Sequence, residues 1–155
     1  MNLQVLLAER EISRNIMAIA SAMDGRDWPA LAGLLAEDVT ADFGAGEVTG
    51  AEHLVAYIRS FLDNCGPTQH LIGNVVVDCQ SAGDNEGDAG RAERVASSRC
   101  YVCDTHLSQR DDSDLSFRTL GEYRDEWVCR DGRWLLARRD KNNRATMGSM
   151  AVFEP

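Results

Sequence analysis

The stretch "HLVAYIRSFLDNCGPTQHLIGNVVVD", residues 53–78, changes its hydrophobic period halfway, and that change decides the fold. Its first half repeats apolar residues at helical spacing and stops at Gly66 and Pro67, a pair suited to ending a helix. From Thr68 onward the period is two, the pattern of a strand. The chain before this junction reads mainly as helix, and the chain after it reads as strands.

Towards the N terminus, Ile12, Ile16, Ile19 and Met23 recur every three or four residues, which predicts a first helix. Gly25 is placed to end it in a left-handed conformation. Asp27 resembles the N-cap of a short second helix, "WPALAGLLAED", whose early proline is tolerated. "VTADF" alternates like a strand and "GAGE" is a turn. "TGAE" fits a capping box of Thr49 with Glu52 that opens the third helix. Towards the C terminus, strands are expected at about residues 69–79, 95–106, 115–129 and 133–140. "RDG" is a hairpin turn, and "SAGDNEGDAG" and "SQRDDSD" are polar loops. Residues 1–155 form one domain, with 143–155 as a tail. Three helices followed by an antiparallel meander predict an α+β fold, the helices packed on one face of a strongly curved sheet.

A net charge of -9 argues against nucleic acid or an anionic membrane as partner. "MNLQVLLAERE" lacks a basic leader region and no apolar run reaches membrane-span length, so a cytoplasmic protein is expected. Lys141 is the only lysine, which removes a Gly-Lys phosphate loop and leaves one candidate amine for a Schiff base. "GAGEVTG" has the spacing G-x-G-x-x-x-G with no parallel βαβ unit after it, so no dinucleotide cofactor is expected. The five cysteines are irregularly spaced. The pair in "CYVC" lies in a strand, where residues three apart face opposite ways, so neither a disulfide framework nor a metal site is expected.

Three histidines remain as candidate chemistry. His53, in the first turn of the third helix, reads as a solvated residue. His106 ends a strand beside a polar loop. His70 heads the apolar run "LIGNVVV", where an ordinary core or rim histidine is the simplest account. Asp24 weighs against that account: it lies in the last turn of the first helix, where its charge opposes the helix dipole, beside the apolar stripe. Paired with His70, the carboxylate would fix the imidazole tautomer and make a general base.

The runs "SAMDGRDWPALAGLLAEDVTADFG", "TGAEHLVAYIRSFL", "TQHLIGNVVVD" and "GEYRDEWVCRDGRWLLARRD" together resemble the SnoaL-like branch of the nuclear transport factor 2-like superfamily. The resemblance implies a cone-shaped barrel, a bent antiparallel sheet wrapped by three N-terminal helices around a deep apolar pocket. It also implies a cofactor-independent Asp–His dyad of the kind used by dehydratases, polyketide cyclases and dehydrochlorinases, which falls on Asp24 and His70. Ile19 stands where several relatives carry a helping tyrosine or lysine.

Other polar groups then come into question. Asn74 is four residues beyond His70 and shares its face in an unbroken strand. Tyr101 would donate to an oxyanion if its face points inward, His106 would be a second acid at the pocket mouth, and Arg138 or Arg139 faces inward or into an interface. Trp28, Phe43, Tyr57, Phe61 and Trp127 are the candidate pocket walls. The expected function is dehydration, or cyclisation or isomerisation, of a hydrophobic oxygenated small molecule such as a polyketide, terpenoid, steroid-like or aromatic intermediate. No cofactor or metal is expected, and the protein is expected to form a homodimer or other homo-oligomer. The alternative is a non-catalytic small-molecule-binding or partner subunit, resembling a dioxygenase β subunit. In it the tail "NRATMGSMAVFEP" would serve an interface; the same tail could instead lid the pocket.

Overall fold

The apolar stripe of the first helix is buried: Ile12, Ile16, Ile19 and Met23 are at most 4% exposed. The computed structural model describes residues 3–79, 93–111 and 113–155. The loop expected at "SAGDNEGDAG" lies outside the described residues, as does Asp112 of "SQRDDSD". Helix α1 (Leu3–Asp24) is followed by α2 (Trp28–Ala32), β1 (Leu35–Asp42), β2 (Glu47–Thr49) and α3 (Ala51–Leu62). Four long strands complete the fold: β3 (Thr68–Cys79), β4 (Arg94–Leu107), β5 (Ser116–Arg130) and β6 (Arg133–Gly148), with a terminal 3-10 turn at Met150–Phe153. No helix among the described residues is long and apolar enough to cross a membrane.

The strands form one bent, open sheet in the order β2-β1-β6-β5-β4-β3. Helix α1 packs on β3 and α3 on β1, so the helices wrap one face of the sheet. That face holds the core, with Val39, Ala41, Cys100, Val102, Trp127 and Leu136 all at most 2% exposed. This is the α+β arrangement that the change of period predicts and the cone that the resemblance implies, with one difference at its seam. The pairing is antiparallel everywhere except between β1 and β6, which run parallel.

That seam also shortens the second helix. Asp27 caps it as expected, its carboxylate accepting from the Ala30 amide at 3.0 Å. The helix nevertheless stops after five residues, because the amide of Leu136 donates to the Leu34 carbonyl at 2.9 Å and draws the next residues into β1. Tertiary pairing here overrides a locally helix-compatible sequence. Two other local expectations are corrected. The left-handed residue after α1 is Arg26 (φ 56) rather than Gly25. The N-cap of α3 is Gly50 (φ 94) with no side-chain cap, so Thr49 and Glu52 form no capping box.

Two irregularities decide what faces inward. Between Gly73 and Val76 the pairing of β3 with β4 slips, with Asn74 in a left-handed conformation (φ 51). Ile72 packs against the core before the slip, and Val75, Val77 and Cys79 after it, so the inward parity switches. Strand β6 continues eight residues past the expected end at 140, to Gly148, and the tail turns back along the core, where Val152 is buried. Gly148 has φ 88, and a Cβ there would run into the carbonyl oxygen of Ser116. Gly148→Ala should therefore cost about 1–3 kcal/mol in urea unfolding, combining backbone strain with a displaced strand end. An unchanged midpoint would show that the turn tolerates a side chain.

Candidate active site

The end of α1 and the start of β3 bring the predicted pair together. Asp24 is partly buried and His70 is 9% exposed. The ring Nδ1 of His70 lies 2.6 Å from Asp24 Oδ1, and the His70 amide donates to Asp24 Oδ2 at 2.9 Å. A carboxylate can only accept, so Nδ1 carries the proton and Nε2 of the neutral ring keeps its lone pair. The Thr68 hydroxyl donates to Asp24 Oδ1 at 3.0 Å, and receives a bond from Arg26 Nη1 at 2.8 Å. Burial pushes the Asp24 carboxyl up. The His70 side chain and amide, with the Thr68 hydroxyl, outweigh that and hold it below the ordinary carboxylate range.

Beyond His70 opens a cavity of about 330 Å³. Its apolar walls include Met23, Phe43, Tyr57, Phe61, Phe117 and Phe153, and its polar lining is His70, Asp104, His106, Thr119, Lys141 and Asn143. Asp104 is 3% exposed and sits at the centre of this polar group. Its Oδ2 lies 2.8 Å from Lys141 Nζ, 4.0 Å from His70 Nε2 and 3.9 Å from His106 Nε2, while its Oδ1 accepts the Thr119 hydroxyl. Burial raises the Asp104 carboxyl. The Lys141 ammonium, through attraction and a hydrogen bond, with help from Thr119, brings it below the ordinary range. His106 donates through Nδ1 to the Phe117 carbonyl at 3.3 Å, which leaves its Nε2 as the acceptor of the neutral ring. Burial lowers the His106 pKa, and Asp104 only partly offsets it.

One donor atom each from His70, Asp104 and His106 lie within 4.8 Å of one another, a spacing in which a metal ion could be held. Lys141 argues against that use, because its ammonium, 2.8 Å from Asp104 Oδ2, already balances the carboxylate charge and would repel a second cation there. The "CYVC" pair behaves as its strand position predicts: Cys100 is buried on the core side, its thiol pushed up to about 11 by burial, and Cys103 lies on the other face.

Of the other residues expected in the site, Phe43, Tyr57, Phe61 and His106 line the cavity. Tyr101 does not: it is 45% exposed on the outer face, under the Arg144 guanidinium, because strand parity puts residues 100, 102, 104 and 106 inward. Asn74 is exposed on the bulge that reverses the parity after His70. Trp28 packs at the edge of the core beneath Arg59, and Trp127 is fully buried, its indole N–H donating to Ser98 Oγ at 2.8 Å. Arg139 faces inward in a buried pair with Asp125, whereas Arg138 pairs with Glu47 and Asp140 near the surface. Ile19 is core. The tail forms part of the cavity wall: the Phe153 ring lies 4.9 Å from that of His106 and 5.6 Å from that of Phe61.

Sequence reasoning missed Asp104, Thr119, Tyr123 and Asn143 as cavity residues, and it offered Lys141 only as a candidate Schiff-base amine without placing it in the cavity. The signal for Asp104 was the period of β4, since it shares a face with Cys100, Val102 and His106.

The charge states set a sign for pH dependence. His106 titrates below its ordinary 6.5 in the fold, so the unfolded chain takes that proton first and stability starts to fall below about pH 6.5. Asp24 and Asp104 titrate below 3.8, so their contribution is complete above about pH 4 and is lost as pH falls through their depressed values. Urea unfolding across pH should show both stages, and His106→Gln should diminish the upper one while leaving the lower. An upper stage that survives His106→Gln would assign it elsewhere.

No curated protein matches the sequence. Among solved structures, a candidate scytalone dehydratase from Novosphingobium aromaticivorans DSM 12444 superposes with a TM-score of 0.80 at 21% identity, covering 96% of this chain and 92% of that one. Type 2 hexachlorocyclohexane dehydrochlorinase LinA gives 0.78 at 17%, covering 96% and 93%. A candidate dehydratase of the NTF2-like family from Streptomyces avermitilis gives 0.70 at 15%, covering 88% and 96%. At such identities the likeness concerns the fold. The sequence itself matches the model of a SnoaL-like domain over residues 4–140, nearly its whole length, and the chain belongs to that family.

Proposed function

We propose that the protein is a cofactor-independent acid–base enzyme, a dehydratase or else an isomerase or cyclase, acting on a hydrophobic oxygenated small molecule. The observation that carries this reading is the 2.6 Å Asp24–His70 bond, which leaves the His70 Nε2 lone pair at the polar end of an apolar cavity. Such a cavity, lined by aromatic side chains and a few convergent polar groups, suits a small organic ligand. A volume of about 330 Å³ is at the small end of the range for ligand pockets, which favours one- or two-ring polyketide, terpenoid or aromatic compounds over four-ring ones. The structural neighbours named as a candidate scytalone dehydratase and a dehydrochlorinase fit this class of chemistry.

In the proposed reaction His70 Nε2 removes a proton from substrate carbon. Asp24 holds the ring in place through Nδ1 and balances the imidazolium charge. Asp104, 4.0 Å from Nε2, stabilises the same cation from the substrate side. His106 is held neutral near pH 7 by its lowered pKa, so it serves as a hydrogen-bond acceptor for a substrate hydroxyl rather than as a resting acid. The proton on His70 then returns, either to a departing hydroxide, which leaves as water, or to a second carbon, which completes an isomerisation. The exposed outer-face residues Leu71, Tyr101 and Leu120 fit self-association of two copies through the sheet.

On a substrate found by screening such compounds, His70→Ala should lower kcat by about 10²–10⁴-fold. Asp24→Asn should release the tautomer, read as a change in the His70 ¹⁵N ring signals with those of His53 unmoved. Retained turnover in His70→Ala would end the acid–base reading and leave the binding-subunit alternative.

A further inference from the structure

Lysine is used once in this chain: of 16 Lys and Arg residues, only Lys141 is lysine. Two buried cation–carboxylate pairs show how differently the two cations are employed. Arg139 gives two bonds to Asp125, at 2.8 and 2.7 Å, and its guanidinium lies over the Tyr123 ring, with neither Arg139 nor Asp125 among the cavity-lining residues. Lys141 instead lines the cavity with an 8% exposed side chain. Its ammonium has three donors, and its acceptors among the described residues are Asp104 Oδ2 at 2.8 Å and Thr119 Oγ1 at 2.9 Å. A planar guanidinium would spend its fork on the carboxylate, whereas a compact ammonium can hold the carboxylate and still offer a proton to a ligand.

The same Asp104 oxygen sets an upper limit on the distance to the base. It is 2.8 Å from Lys141 Nζ and 4.0 Å from His70 Nε2, so the two nitrogens are at most 2.8 plus 4.0, or 6.8 Å, apart. The atoms O=C–C–H span such a gap, with oxygen towards lysine and hydrogen towards histidine. We propose that Lys141 is the oxyanion donor of the site, and that its substrates are therefore carbonyl or phenolic compounds rather than oxygen-free hydrocarbons or halocarbons. This assignment rests on the acid–base reading of Asp24 and His70 and names its substrate class.

His70 Nε2 takes the proton from the carbon beside the carbonyl. The C–H electron pair becomes the new C=C bond, and the carbonyl π pair moves onto oxygen, where Lys141 donates to the enolate. Collapse of the enolate re-forms C=O, shifts the enolate C=C pair into a new bond between the α and β carbons, and breaks the bond from the β carbon to its hydroxyl, which takes the proton from His70 and leaves as water. Thr119 and Asp104 are positioning residues in this step, since they act by holding the ammonium.

The test needs no substrate, because 2-naphthol presents an enol-like oxygen on an aromatic frame and naphthalene is nearly the same shape without the oxygen. Wild type should bind 2-naphthol at least about tenfold more tightly than naphthalene, the scale of a charge-assisted hydrogen bond. The single lysine ζ signal in ¹⁵N-lysine-labelled protein should move with naphthol and stay with naphthalene. In Lys141→Met/Asp104→Asn, which leaves no unpaired buried charge, the preference should fall to within about threefold, and it should stay low in Lys141→Arg, whose fork is spent on the carboxylate. A preference unchanged in the double variant, an unmoved lysine signal, or failure of wild type to bind 2-naphthol would each overturn the assignment. Failure here with turnover lost in His70→Ala leaves the dyad standing, and turnover retained in His70→Ala removes the dyad whatever Lys141 does.

Discussion

Arg26 holds the two halves of the candidate site in register. A non-glycine residue in the left-handed region costs about 1–3 kcal/mol, and it persists only where its surroundings over-determine it. Here the guanidinium donates to the Met23, Leu62 and Gly66 carbonyls at 2.9, 3.0 and 2.9 Å and to the Thr68 hydroxyl at 2.8 Å. These bonds tie the last turn of α1, the last turn of α3 and the entry to β3 into one knot. Asp24 and His70 are 46 positions apart in sequence, and a 2.6 Å contact between them requires those ends to be fixed together. The chain relaxes its backbone rules at Arg26 so that a carboxylate at a helix C-terminus, an unfavourable place for negative charge, meets three donors.

The polar end of the cavity shows the same preference for arrangement over economy. Buried ion pairs seldom add stability relative to apolar residues of similar volume, because desolvation opposes the attraction. This core nonetheless holds two of them, Asp104 with Lys141 and Asp125 with Arg139, each side chain at most 8% exposed. The second is sealed and acts as internal scaffolding for β5 and β6. The first faces a cavity beside two imidazoles, each tethered through Nδ1 so that Nε2 is the acceptor of its neutral form. Tethering of this kind limits tautomers and ring orientations, which is what a proton-transfer site requires.

The fold was legible because two periods divide the chain cleanly: apolar spacing of three to four through α1 and α3, and of two from Thr68 onward. The contact between Asp24 and His70 was legible through a misplaced charge and a histidine heading an apolar run, and through the family pattern. The rest depended on parity, which a sequence does not carry across a bulge. Asn74 shares a face with His70 only in an unbroken strand, and the slip after Gly73 turns it outward. Tyr101 and His106 differ by an odd number and cannot both face the cavity, so the inward placement of His106 excludes Tyr101. The α2 boundary failed for another reason: "AGLLAED" is acceptable as helix, and only the parallel partner in β6, a hundred residues away, makes it strand. Lys141 was visible as a singular residue, but its partner Asp104 lies 37 positions earlier and no local pattern joins them.

The solitary lysine also makes the molecule its own reporter of opening. A lysine-specific protease has one place to cut, after Lys141, which would yield residues 1–141 and 142–155. That bond lies within β6, where Lys141 pairs with Tyr123 of β5 and its side chain is enclosed with Asp104. Cleavage therefore requires β6 to leave the sheet, and its rate follows the free energy of that excursion rather than fraying at loops. The residue that ties the polar cluster together thus doubles as a proteolytic clock for the strand that carries it, and any ligand that engages the cavity slows the clock by holding β6 in place.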